Sequence, residues 1–209
     1  PLSIDDMIDS IDKATHDKRV TAIVVKSTSA GYDLTQLQQL RAAIGRFKAA
    51  GKKTYIYAES YGEGGYGLGL YYLASAFDEI WMQPVGTVAI GGINIESPFF
   101  KGLMGKYGIE AQFFHRKEYK NAMEHMTADR MSPASREMME ALVTNLATQL
   151  TAPIKQDRKK ITKNFDDLLN LGLITDKQAL SGGLVDTLGY QDDLVDKVQK
   201  VADTDNLVH

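Results

Sequence analysis

The sequence predicts an α/β fold, with a mostly parallel central sheet flanked by helices, in a single domain over residues 1–209. Three observations carry that expectation. "VTAIVVKS" (20–27) and "KTYIYAES" (53–60) are short β-branched and aromatic runs of the kind that become buried parallel strands. Between them, "LTQLQQLRAAIGRFKAAG" (34–51) is an amphipathic helix closed by Gly51. A β-α-β order in one sheet takes a right-handed crossover, which sets the two strands parallel.

The remaining elements follow in order. "PLSIDDMIDSID" is a helix with Ile4, Met7, Ile8 and Ile11 at helical spacing and Ser3 with Asp6 as its cap. A chain that opens on a helix, without a first strand, reads as a piece of something longer. "TSAGYD" (28–33) is a turn, and "YGEGGYGLGLYY" (61–72) holds five of the 18 glycines ahead of a helix, "YYLASAF". "DEIWMQP" (78–84) is a third strand, "GTVAIGGINIES" (86–97) a glycine-punctuated strand region, "PFFKGLMGKYG" (98–108) a helix and "IEAQFFHR" (109–116) a strand. The predicted sheet therefore uses 20–27, 53–59, 78–83 and 109–115. From Ser132 to Lys160 runs one long helix, with Ser132 as cap and Pro133 in the first position. Its wide stripe of Met138, Met139, Leu142, Val143, Leu146 and Leu150 calls for cover between elements or subunits. Its end, "KQDRKK", reads as a solvated cation run at a helix C-terminus. "ITDKQALSGGLVDTLGY" gives a strand-like turn, a helix ending at Gly182 or Gly183 and a return to a strand; a last helix covers about 191–202.

Composition excludes several chemistries. With no cysteine, thiol catalysis, disulfides and cysteine zinc sites are ruled out. A net charge of −3 gives no reason to expect a nucleic-acid or anionic-membrane partner. No apolar run approaches the roughly 18 residues of a spanning helix. His16, His115, His125 and His209 do not pair at metal-ligand spacing, and Asp5, Asp6 and Asp9 line an exposed helix face. No metal site or cofactor is expected.

Two segments remain as candidates. "GEGGYG" only approximates a phosphate loop, and no Lys follows it. A glycine-rich turn between strand and helix can also aim backbone N–H groups at an oxyanion and present a nucleophile. Here Tyr66, Gly67, Leu68, Gly69 and Leu70 offer no Ser, Thr or Cys, so a flexible or close-packed turn is the plainer reading. "FFHRKEYKNAMEHMT" (113–127) holds Arg116, Lys117 and Lys120. From the residues alone Lys120 is an ordinary surface lysine. A lysine serves as a base near neutral pH only where burial or nearby cations favour the neutral amine.

"GLYYLASAFDEIWMQPVGTVAIGGI", "YGIEAQFFHRKEYKNAMEHMT", "MSPASREMMEALV" and "ITDKQALSGGLVDTLGY" together resemble the bacterial signal peptide peptidase A family, also called protease IV. The resemblance runs from about residue 20 to residue 200 with its motifs in order. It implies a crotonase-like (ClpP-like) fold and a membrane-anchored serine peptidase that uses a Ser–Lys dyad to degrade cleaved signal peptides. It places the general base on Lys120. The family's nucleophilic Ser lies in a segment like "ASGGYY", but here "GLGLYY" puts Leu68 there; a second family Ser is replaced by Ile90. The chain therefore resembles the Lys-bearing N-terminal repeat of the long, two-repeat form, with the Ser on a homologous C-terminal repeat reached through oligomer packing. Oxyanion donors are implied after the first strand, in a segment like "SPGG"; in "STSAGYD" that makes Gly31 the candidate, with Ala30 departing from the double glycine. Location at the bacterial inner membrane, facing the periplasm, a homo-oligomer and signal-peptide substrates are implied in the same way. Two other readings stand beside this one. The chain is a non-catalytic scaffold repeat, or it is a crotonase-type acyl-CoA enzyme with "STSAGYD" and "GEGGYG" as amide donors and Glu63 as its carboxylate.

Overall fold

Local capping starts the first two helices where the sequence places them. In α1 (Ile4–His16) the Ser3 hydroxyl accepts from the Asp6 amide at 3.1 Å, and the Asp6 carboxylate accepts from the Ser3 amide at 3.1 Å. In α2 (Leu34–Ala49) Asp33 and Gln36 make the same reciprocal pair, at 2.8 and 3.0 Å. Each box satisfies amides that a helix start would otherwise leave open. The computed structural model describes residues 3–28, 31–62 and 67–202. The chain divides into two units, Pro1–Gly92 with Leu150–His209, and Ile93–Gln149.

In the first unit β1 (Ala22–Lys26), β2 (Lys53–Ala58), α3 (Gly67–Ala74), β3 (Glu79–Met82) and β4 (Thr87–Val88) follow in chain order. The second unit contributes α4 (Lys101–Lys106), α5 (Glu124–Thr127) and the start of α6 (Pro133–Asp157). The first unit then resumes with the end of α6, α7 (Phe165–Leu171), β5 (Ile174–Thr175), α8 (Asp176–Ser181), β6 (Thr187–Leu188) and α9 (Gln191–Ala202). The main sheet has the order β1-β2-β3-β6 and is parallel throughout, with Val24 opposite Tyr55, Ile56 opposite Ile80 and Trp81 opposite Thr187. β4 and β5 form a separate antiparallel pair. The α/β arrangement and the parallel sheet flanked by helices are as the sequence predicts.

Helices cover both faces of this sheet. Tyr55, Tyr57 and Trp81 pack with Leu194 and Val198 of α9. Side chains alternate along a strand, so Thr54, Ile56 and Ala58 face the opposite way, and all three are buried. α2 buries Leu37, Leu40, Ala43, Ile44 and Phe47, a helical stripe, and packs against β2 and α3. Burial on both sides explains why β2 is a continuous apolar run and not an alternating one.

Two corrections concern the strands and the cation run. The expected strand at 109–115 is absent: this stretch is irregular and mostly exposed chain, and Phe114 is 99% exposed. Its aromatic residues suit a strand, but a strand forms only against a ladder partner. Among the described residues the place beside β3 is filled by β6. The "KQDRKK" run is not wholly solvated either. Lys159 and Lys160 are exposed, but Arg158 is only 4% exposed. Its guanidinium donates to Asp186 Oδ2 at 2.8 Å, to the Gly183 carbonyl at 2.7 Å and to the Leu184 carbonyl at 3.3 Å. The same carboxylate accepts from the Ile80 amide at 2.8 Å and from Lys160 Nζ at 2.8 Å. Burial pushes the Asp186 carboxyl up, but the hydrogen bonds from Arg158, Lys160 and Ile80 outweigh it and hold the group below the usual carboxylate range. Asp186 directly precedes β6, so this network ties the last strand to β3 and to the end of α6.

In the second unit, 93–149, helices are the regular elements among the described residues. The Phe100 amide donates to the His125 carbonyl at 2.7 Å, and their rings meet edge to face at 6.5 Å, which joins α4 to α5. Ser132 opens α6 as expected, its hydroxyl accepting from the Ser135 amide at 3.2 Å, with Pro133 next. The predicted apolar stripe of α6 is covered only in part. Leu150 is buried, Met138, Met139, Val143 and Leu146 are half-buried, and Leu142 is 48% exposed.

Candidate functional site

The described ends of the glycine-rich segment, Tyr61–Gly62 and Gly67, pack against Thr87 and Ala89. The Tyr61 amide donates to the Thr87 carbonyl at 2.8 Å, and the Ala89 amide donates to the Tyr61 carbonyl at 2.7 Å. Gly62 has φ +107°, and a Cβ on Gly67 would stand 1.5 Å from the Ala89 carbonyl oxygen. Glycine is therefore required at both positions, by backbone conformation at Gly62 and by backbone contact at Gly67. Glu63 and Tyr66 lie outside the described residues, as does Ala30.

The two positions at which the resemblance substitutes an apolar residue for Ser are both core. Leu68, in the first turn of α3, is 8% exposed, and Ile90 is fully buried. Tyr71, on the same helix, donates from its hydroxyl to the Leu184 carbonyl at 2.7 Å, and Tyr61 donates to the Trp81 carbonyl at 3.0 Å. Burial holds both phenols well above their ordinary value, so they act as fixed donors. Gly31 is exposed, and a Cβ there would meet nothing within 4 Å. Sterics do not demand glycine at that position.

Two other hydroxyls of the first unit, those of Ser60 and Ser75, are committed to structure. Ser60 Oγ accepts from the Thr87 amide at 3.1 Å. Ser75 Oγ donates to the Tyr72 carbonyl and accepts from Arg41 Nη1, both at 2.9 Å. A cleft along α2, lined by Gln38, Arg41, Lys48 and Asp157, has its cations already paired: Arg41 with Asp157, and Lys48 with Asp78 at 3.2 Å.

Lys120 sits in the second unit on irregular chain between a tight turn and α5, not after a strand. Its side chain is exposed. The turn before it is built on Lys117, which has φ +69°, and the Lys120 amide donates to the Lys117 carbonyl at 3.3 Å. After it, the Glu124 amide donates to the Asn121 carbonyl at 2.9 Å. Both neighbours of Lys120 are tied to the first turns of α6. Tyr119 donates from its hydroxyl to Glu137 Oε2 at 2.9 Å, and Asn121 donates from Nδ2 to Ser135 Oγ at 2.5 Å.

Ser135 is 3% exposed and fully engaged. It donates to Glu124 Oε2 and accepts from Asn121 and from Ser132 Oγ, the latter at 3.0 Å. Glu124 Oε1 also accepts from the Ser132 amide at 3.1 Å. Burial pushes the Glu124 carboxyl up, but its hydrogen bonds from Ser132 and Ser135 prevail and hold it low. As a carboxylate it can only accept, so the Ser135 proton is committed to it. Sequence reasoning found Ser132 as a cap but missed Tyr119, Asn121, Glu124, Ser135 and Glu137. The hydrogen bonds among these five join residues 11 to 18 apart and follow no short motif.

The molecule is thus a parallel-sheet α/β protein with a close backbone contact between Gly67, at the start of α3, and Ala89 and, in its second unit, a lysine flanked by two anchored residues. It belongs to peptidase family S49, whose model matches residues 46–205. It is 28% identical over 201 residues to Protease 4 of Salmonella typhi, an alignment that covers 92% of this chain and 32% of that protein. It is 23% identical over 194 residues to the chloroplastic serine protease SPPA of Arabidopsis thaliana, covering 93% of this chain and 28% of the relative. The chain thus spans about a third or less of the length of these curated relatives. An enoyl-CoA hydratase/isomerase family protein from Silicibacter pomeroyi aligns with 95% of this chain and 69% of its own, at 14% identity and a TM-score of 0.44. No helix among the described residues is long and apolar enough to cross a membrane.

Proposed function

We propose that this chain is the Lys-bearing half of a Ser/Lys-dyad serine peptidase with a crotonase-like (ClpP-like) domain over 1–209, which degrades cleaved signal peptides at the bacterial inner membrane. Family membership supports the peptidase class. One observation carries the assignment of halves. The turn that would present a nucleophile instead carries Leu68, a core residue, whereas Lys120 projects from an anchored loop into solvent. The nucleophilic Ser belongs to a homologous C-terminal repeat, brought to Lys120 by homo-oligomer packing.

In this reading Lys120 acts as general base. Its neutral amine takes the Ser proton as the hydroxyl oxygen attacks the peptide carbonyl carbon. The ammonium then gives that proton to the departing amine, and water repeats the sequence on the acyl-enzyme. Gly31 is the candidate donor to the oxyanion, through its backbone N–H.

Peptide turnover by the chain alone and by the complete protein carrying Lys120→Ala tests this. Neither should turn over peptide, while the parental complete protein does and the variant assembles normally. Turnover by the lone chain would reveal a nucleophile within it. Full activity of the Lys120→Ala protein would make Lys120 a bystander and favour the scaffold reading.

A further inference from the structure

We infer that Tyr119 and Asn121 are positioning residues: by tying both sides of Lys120 to the start of α6, they fix where its amine can reach. The inference rests on the reading of Lys120 as the general base. Among the described residues, 107–123 contains no helix or strand, so no ladder or helical turn holds the lysine in place. Side-chain hydrogen bonds do that work instead. Tyr119 reaches Glu137, Asn121 reaches Ser135, and Ser135 is held in turn by Glu124 and Ser132. Upstream, the left-handed Lys117 closes a turn, and His115 Nδ1 lies 3.0 Å from the Lys117 carbonyl.

The two anchors differ in kind. Asn121 is tied into a half-buried cluster around the buried Ser135. Tyr119 and Glu137 are exposed, so their bond adds little to stability and can be removed without unfolding the unit. A lysine side chain is a flexible four-carbon stem. The base must come within roughly 2.6–3.2 Å of the proton it takes, and a displacement of about 1 Å can cost about a hundredfold in rate. Fixing the Cα from both sides removes one source of that displacement.

The test uses the complete protein, with Lys120→Ala as reference. Tyr119→Phe and Asn121→Ala should each lower kcat about tenfold with KM within about twofold, and together about a hundredfold. Glu137→Ala should match Tyr119→Phe, and combining those two should add nothing further. Glu137→Gln, which keeps an oxygen to accept from Tyr119, should retain near-parental kcat. Thermal midpoints of the Tyr119 and Glu137 variants should stay at the parental value. Parental kcat in Tyr119→Phe and Asn121→Ala, with Lys120→Ala inactive, overturns the positioning role and leaves the base reading standing. Loss of kcat that tracks a lowered thermal midpoint, or an equal loss in Glu137→Gln and Glu137→Ala, also overturns it. An active Lys120→Ala protein removes the base reading and this inference together.

Discussion

Replacing Asp186 by alanine should be among the most damaging single changes to the first unit. The carboxylate accepts from three donors: Arg158 at 2.8 Å, the Ile80 amide at 2.8 Å and Lys160 at 2.8 Å. Two of those donors are buried, and their loss is not made good by water. Arg158 would keep its bonds to the Gly183 and Leu184 carbonyls but lose its counter-charge. Removing one member of a buried ion pair costs about 3–5 kcal/mol, and the stranded amide alone costs about 1–3 kcal/mol. The two losses share one acceptor and do not simply add, so the expectation is about 4 kcal/mol. Lys160 is the internal control. Its side chain is 68% exposed, and Lys160→Ala should cost under about 1 kcal/mol. Urea denaturation followed by circular dichroism measures both. An Asp186→Ala loss below about 1 kcal/mol, or a Lys160→Ala loss as large as that of Asp186→Ala, would refute the reasoning. The same carboxylate sets an acid limb. Its folded value lies below that of the unfolded chain, so its contribution is complete above about pH 4 and is lost as pH falls through the lower folded value. Asp186→Asn should flatten that limb.

Two glycine substitutions with opposite signs check the packing of the first unit. Gly67→Ala places a Cβ 1.5 Å from the Ala89 carbonyl oxygen, with backbone on both sides, and should cost at least about 3 kcal/mol or leave the protein insoluble. Gly45→Ala, on the exposed face of α2 with nothing within 4 Å of the new Cβ, should stabilise by up to about 1 kcal/mol in the same denaturation assay.

Legibility followed the range of the interaction that builds each element. Ser3 with Asp6, Asp33 with Gln36, and Ser132 with Pro133 are short-range signals, and the helices they start lie where the sequence puts them. β2 and β3 were legible because burial on both faces writes itself as a run of branched and aromatic residues, and the half-buried β1 carries a similar run. β6 was legible only as a return to a strand after the glycines, and not as a member of the sheet, because two residues, Thr187 and Leu188, carry no periodicity. The network that places it beside β3 joins Arg158 and Asp186, 28 residues apart. The stretch 109–115 shows the converse: Phe113 and Phe114 have strand propensity, but propensity does not supply a partner strand. The surroundings of Lys120 were illegible for the same reason, since Tyr119–Glu137 and Asn121–Ser135 are long-range pairs.

The two candidate segments are held in physically different ways. The start of α3 is fixed by backbone: Gly62 and Gly67 pack closely against the Ala89 carbonyl, and Tyr71 ties the helix to Leu184. With Leu68 packed into the core, that scaffold retains its shape without a nucleophile, because nothing in its stability depends on a hydroxyl at that position. The loop bearing Lys120 is held differently, by a few side-chain hydrogen bonds to the start of one helix. Of the two anchors, the exposed Tyr119–Glu137 bond can be removed at small cost to folding, whereas Asn121 is tied to the buried Ser135.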